Sequence, residues 1–189
     1  MLDRLTRHWV YGGFLCGLLL LLLAPVLVGS WPPVLAVTYL ALPAYMLHQY
    51  EEHDADRFRL AVNETVGGGY AVLTTAAVFW INVPGVWGVI GLSLHLAVTR
   101  DAGFALVPAY LMLVNAAVHL GHAIVARRYN PGLATACAVF VPLGGYAVVL
   151  AQQAGRGSIE MHAIALAVTV GLHVAMVAYA LRRRAALAG

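Results

Sequence analysis

Lysine is absent from this chain, and charge of either sign is scarce: charged residues make up 10% of its 189 residues, against about 25% in an ordinary soluble domain. So little charge excludes a solvated disordered segment and a nucleic-acid-binding surface. Two cysteines, Cys16 and Cys137, are too few for a disulfide scaffold, and both lie in apolar runs where a free thiol behaves as a small hydrophobe. Serine occurs only as Ser30, Ser93 and Ser158. What fills the chain instead is apolar: hydrophobic residues make up 62% and the mean hydropathy is +0.83. Lipid must solvate that excess. The eleven basic residues are all Arg, in short clusters between apolar runs, a distribution that orients a membrane protein. The expected class is all-α, a polytopic membrane helix bundle forming one integral membrane domain over residues 1–189.

A membrane-crossing helix needs about 20 mostly apolar residues. The runs that qualify are Trp9 to Gly29, Val34 to His53, Phe104 to Ala126, Leu133 to Ala151 and Met161 to Leu181. The first is too long for the core of a cleavable leader and is read as a retained span. A further stretch, Gly67 to Thr99, is long for one helix and short for two, with Pro84 in its middle. Counting Arg decides between them. A single crossing puts Arg4, Arg7, Arg57, Arg59, Arg127, Arg128 and Arg182 to Arg184 on one side, with only Arg100 and Arg156 opposite. A hairpin evens the split. The expectation is therefore six transmembrane helices, the third kinked at Pro84, with both termini cytoplasmic. Trp9, Trp31 and Tyr129 fall near span ends, as aromatic anchors do.

Ionisable residues inside spans are costly, so each marks a candidate site. His48, Glu51, Glu52 and His53 end the second span, with Glu51 and Glu52 flanking the His48 face. Asn115, His119 and His122 form a stripe on the fourth span, His173 lies in the sixth, and Asn63 and Glu64 precede the third. His48 lies nine residues before Arg57, His119 eight before Arg127 and His173 nine before Arg182. At about 1.5 Å per residue, three helices thus carry these groups to one level beneath the cytoplasmic boundary. His95 and His162 fall near the opposite surface, and His8 lies outside the first span. Imidazoles and carboxylates are the ligands of iron, zinc and manganese, and a cation offsets the cost of burying the acids. The expected metal ligands are His48, Glu51, Glu52, Glu64, His119, His122 and His173, with Glu51 and Glu52 as the catalytic carboxylates. Asn63 and Asn115 are expected as supporting residues, and His53 is left open as a ligand. So large a set suits two divalent ions, iron before zinc.

His48-Gln49-Tyr50-Glu51-Glu52 resembles the signature of the membrane family named after its His-x-x-Glu-Glu (HXXEE) motif. The resemblance extends to Asn63-Glu64, to His119 and His122, and to Arg128-Tyr129-Asn130-Pro131-Gly132 with Thr135 after it. It implies a small multi-span protein suspected of enzymatic activity, and it supports His48, Glu51, Glu52, Glu64, His119 and His122 as the functional set.

Three functions are compatible with these residues. The first is an oxidoreductase of the di-iron type, hydroxylase- or desaturase-like, acting on a lipid or another hydrophobic small molecule that enters between helices. The second is a zinc-dependent hydrolase of a lipid-like amide or ester, with Glu51 or Glu52 as general base. The third is a non-enzymatic metal or proton transporter or scaffold. An almost wholly apolar outer half of the helices disfavours a through-path. Neither a nucleic-acid partner nor a particular oligomeric state is indicated.

Overall fold

The computed structural model describes residues 2–189. Among them the chain is all-helical, without strands. The long helices are α1 (Leu2–Val28), α2 (Pro33–His53), α4 (Thr75–Thr99), α5 (Ala102–Ala126), α6 (Leu133–Gln153) and α7 (Ile159–Ala188); a short α3 (Arg57–Thr65) joins α2 to α4. Five of the long helices, all but α2, are long and apolar enough to cross a bilayer, as a multi-pass membrane protein requires. The boundaries follow local chemistry. Pro33 opens α2, where its missing N–H costs nothing. The Thr74 hydroxyl accepts from Ala77 N and caps α4, and Ser158 does the same for α7 through Met161 N.

Residues Gly67 to Thr74 are not part of α4, although the apolar run includes them. Asn63 holds this stretch in a turn: its amide donates to Leu73 O at 3.0 Å and its carbonyl accepts from Leu73 N at 2.8 Å. From Thr75 the chain is one continuous helix. It passes Pro84 through a π-helical stretch, Ile81–Trp87, a local widening that accommodates a missing backbone donor.

α2 is the least apolar long helix and the most enclosed. Ala41, Ala44 and Tyr45 pack with Ile90 of α4, Leu111, Met112 and Ala116 of α5, and Phe140 of α6. A helix surrounded by other helices meets no lipid and need not be apolar throughout. At one end of the bundle Val34, Ala105, Leu106 and Ala165 share a cluster, so α2, α5 and α7 run in the same direction. That end carries the Asp101–Arg156 ion pair at 3.1 Å and the His162 contacts to Tyr110 and Gln152. At the other end Arg183 and Arg184 donate to Ala71 O and Val66 O.

Trp9, Cys16 and Cys137 depart from the sequence expectation. Trp9 is buried against His53 and Trp87 rather than standing at an interface. The Tyr129 ring is exposed, and its hydroxyl donates to Glu51. Cys16 and Cys137 are exposed on the outside of the bundle, not packed within it.

Candidate metal centre

The last two turns of α2 carry the His-x-x-Glu-Glu element. His48 is fully buried and Glu52 nearly so. Glu52 Oε1 lies 3.5 Å from His119 Nε2 on α5, and Glu52 Oε2 lies 3.6 Å from His48 Nε2. The candidate ligand atoms of these three residues all fall within 4.8 Å of one another. His53 Nε2 is 3.2 Å from Glu52 Oε2 but lacks the alignment of a hydrogen bond, and it is buried without a partner.

Glu51 leaves this cluster. A helix turns 100° per residue, so Glu51 and Glu52 stand on opposite flanks of His48, and only the Glu52 flank faces α5. The Glu51 carboxylate accepts from Ala134 N at 3.0 Å, from Thr135 N at 2.7 Å, and from the hydroxyls of Thr135 and Tyr129. Ala134 and Thr135 are in the first turn of α6, where backbone N–H groups have no partner within the helix. Glu51 therefore caps α6 from another helix, its charge at the positive end of the dipole. Desolvation, and then the Glu51 carboxylate beside it, hold the Tyr129 hydroxyl above its ordinary pKa, which keeps it a donor.

This cap fixes the loop that orients both imidazoles. The Thr135 hydroxyl has one proton and gives it to Glu51, so at 2.8 Å it can only accept from His48 Nδ1. Asn130 Nδ2 donates to His119 O at 2.9 Å, which turns Asn130 Oδ1 toward His119 Nδ1, 2.6 Å away, as an acceptor. Both imidazoles are thereby protonated at Nδ1. With both imidazoles neutral, each presents an Nε2 lone pair to the Glu52 carboxylate, and three acceptors converge. Such an arrangement repels itself unless a cation lies between. A hydrogen bond that fixes the ligand tautomer from behind is the usual support of a metal-binding histidine.

Between these helices Gly132 adopts φ +95°. A Cβ there would lie 2.7 Å from His119 Cε1 and 2.8 Å from His48 Cε1. The segment Tyr129-Asn130-Pro131-Gly132-Leu133-Ala134-Thr135 thus acts as one unit: Tyr129, Ala134 and Thr135 bind Glu51, Asn130 and Thr135 orient the histidines, and a glycine makes room for both rings.

The remaining residues fall elsewhere. His122 and His173 line the same cleft as Glu52 and His119 but stand outside the cluster. His173 Nδ1 donates to Thr169 O at 2.9 Å. Glu64 is exposed on the outer side of α3, while its neighbour Asn63 faces inward. Asn63 shapes the Leu73 turn and Asn115 hydrogen-bonds neither imidazole, so the supporting positions belong to Asn130 and Thr135. Asn-Pro-Gly reads in sequence as a turn, but its tie to two histidines depends on the tertiary fold. Gln49 accepts from Trp87 Nε1 at 2.6 Å and donates to Asn82 Oδ1 at 2.9 Å, locking α2 to the π-helical stretch of α4.

The cleft measures about 900 Å³ and has a mainly apolar wall drawn from α2, α3, α4, α5 and α7. Glu52, His53 and His119 open onto it, with His48 behind them. No curated protein and no solved structure matches the chain. A family model does match, over residues 39–147, more than half of the chain and every residue of the converging set. The chain belongs to the family described as "protein of unknown function with HXXEE motif".

Proposed function

We propose that this chain is a metal-dependent membrane oxidoreductase that acts on an apolar small molecule or lipid drawn into the cleft from the bilayer. The observation that carries the reading is the convergence of His48 Nε2, His119 Nε2 and a Glu52 oxygen as three acceptors with fixed tautomers. Two neutral imidazoles and one carboxylate fit ferrous iron or zinc, with coordination positions left for substrate. The set supports one ion; a second would have to be held by His53, His122 and His173 across the cleft. Iron, when bound, supplies redox and dioxygen chemistry. The chain's own residues do the rest: Thr135 and Asn130 hold the imidazoles, Glu52 balances charge, and the apolar wall excludes water.

A zinc-dependent hydrolase is the second reading, favoured by His173. With Nδ1–H donated to Thr169 O, its Nε2 is free to take a proton at the cleft wall. Glu51 is poorly suited to that role, since both its oxygens are engaged at α6. Metal analysis of detergent-purified protein separates these readings. About one iron per chain, lost in His119→Ala, is expected. About one zinc moves the assignment to hydrolysis, and no stoichiometric metal removes both, leaving a hydrogen-bonded scaffold.

The proposed topology has six crossings, α2 included, with α4 bent at Pro84 and both termini cytoplasmic. It is supported by the Arg distribution and by the contacts of Arg183 and Arg184 with the segment after α3, which gather basic residues at one end. Reporter fusions at the two termini are expected to read on the same, cytoplasmic face; opposite faces would remove the six-crossing arrangement.

A further inference from the structure

One helical turn farther into the bundle the cleft carries a second level of polar atoms. α2, α5 and α7 run in the same direction, so a residue three or four positions before each histidine lies on the same face, nearer the bilayer centre. Those residues are Tyr45 before His48, Asn115 before His119 and Thr169 before His173. Tyr45 Oη, Asn115 Oδ1 and Thr169 Oγ1 are all buried without a hydrogen-bond partner. Tyr45 is 2% exposed and sits in an apolar cluster with Leu111, Met112 and Phe140. Of the three residues, Tyr45 and Asn115 line the cleft.

Buried polar atoms are costly when unpaired, and a helix interior can avoid them with Phe and Leu. Their chemistry defines what would satisfy them. The Tyr45 hydroxyl offers a proton, and Asn115 Oδ1 takes one. A hydroxyl group has the chemistry for both, accepting from Tyr45 and donating to Asn115. A carbonyl has no proton for Asn115. A carboxylate would bring a charge to a level where α2, α5 and α7 carry no Arg, and an alkane would pair neither atom.

We infer that Tyr45 and Asn115 grip the hydroxyl of an uncharged lipid alcohol, with its hydrocarbon along the apolar wall and a nearby carbon facing Glu52 and His119. The inference names the substrate class of the proposed enzyme and rests on that reading for which carbon reacts, though not for binding.

Equilibrium binding of radiolabelled 1-hexadecanol, hexadecane and palmitate to the detergent-solubilised full chain tests it. Hexadecanol is expected to bind at least about tenfold tighter than hexadecane, the size of one satisfied hydrogen bond, and tighter than palmitate. Tyr45→Phe and Asn115→Leu are each expected to reduce hexadecanol binding toward that of hexadecane without weakening hexadecane binding. Equal binding of alcohol and alkane by the native protein, which would mean that water satisfies these atoms, overturns the inference. So does tighter binding of palmitate, or an alcohol preference that survives both substitutions. The native-protein comparison holds even if a variant fails to fold. Metal content measured on the same samples keeps the readings apart: alcohol preference without bound metal removes the metal centre and retains the alcohol site, and bound metal without preference does the reverse.

Discussion

Glu52→Gln is expected to abolish metal retention while leaving the metal-free protein at least as stable as the native chain. The two effects have opposite signs for one reason. Glu52 places carboxylate oxygens 3.5 and 3.6 Å from two imidazole nitrogens that are themselves acceptors. With no cation these atoms repel. An amide of the same shape supplies an N–H donor to one imidazole and removes a buried charge. With a cation present the order reverses, because the anionic ligand is lost. Thr135→Val, which removes the acceptor behind His48 and one of the four donors to Glu51, is expected to weaken metal binding by about 10–100-fold; Glu52→Gln should cost more than that. The measurement is thermal unfolding in detergent, with chelator and with added metal. The native chain should gain stability on metal addition, through mass action on the folded state, and the variant should not. A Glu52→Gln protein that melts well below the native chain in chelator would show that the carboxylate bonds a protonated imidazole instead, and the converging-acceptor argument would fail.

How far these groups could be read from sequence depends on what sets each one. The apolar runs mark the long helices because lipid imposes length and composition on them directly. The level shared by His48 and His119 is also visible, since depth along a helix is a count of residues. Rotation about the axis is different. Glu51 and Glu52 straddle His48 almost symmetrically, and nothing local states which flank meets α5. The structure sends one to the imidazoles and the other to the start of α6. Glu64 illustrates the same limit: the sequence brings it in from the same side, but α3 leaves it exposed. The resemblance marks Asn130 and Thr135, but their roles behind the histidines are hidden for another reason. They lie some eighty residues after His48 in a loop whose closeness to α2 exists only once Glu51 caps α6. The start of α4 was masked by the apolar character of residues 70–74, which carries no trace of the Asn63 clamp.

Gly132→Ala carries the second large expected effect, because two separate penalties meet at one atom. A φ of +95° is a conformation that an L side chain adopts only under strain, at about 1–2 kcal/mol. The added methyl would also stand 2.7 and 2.8 Å from the His119 and His48 rings. Neither ring can retreat cheaply: Thr135 holds one and Asn130 the other, and both belong to the loop that carries the methyl. Relief requires the loop to withdraw, which pulls Ala134 and Thr135 from Glu51 and uncaps α6. Overpacking of this kind adds about 1–3 kcal/mol. Gly69→Ala isolates the first penalty, since Gly69 has φ +92° and nothing within 4 Å of the added Cβ. The expected result is a modest fall in melting temperature with metal content unchanged for Gly69→Ala, and a larger fall with loss of metal for Gly132→Ala. Equal falls, with metal kept in both, would mean that the loop yields without disturbing the histidines, and that the Asn-Pro-Gly turn is a connection rather than the back wall of the site.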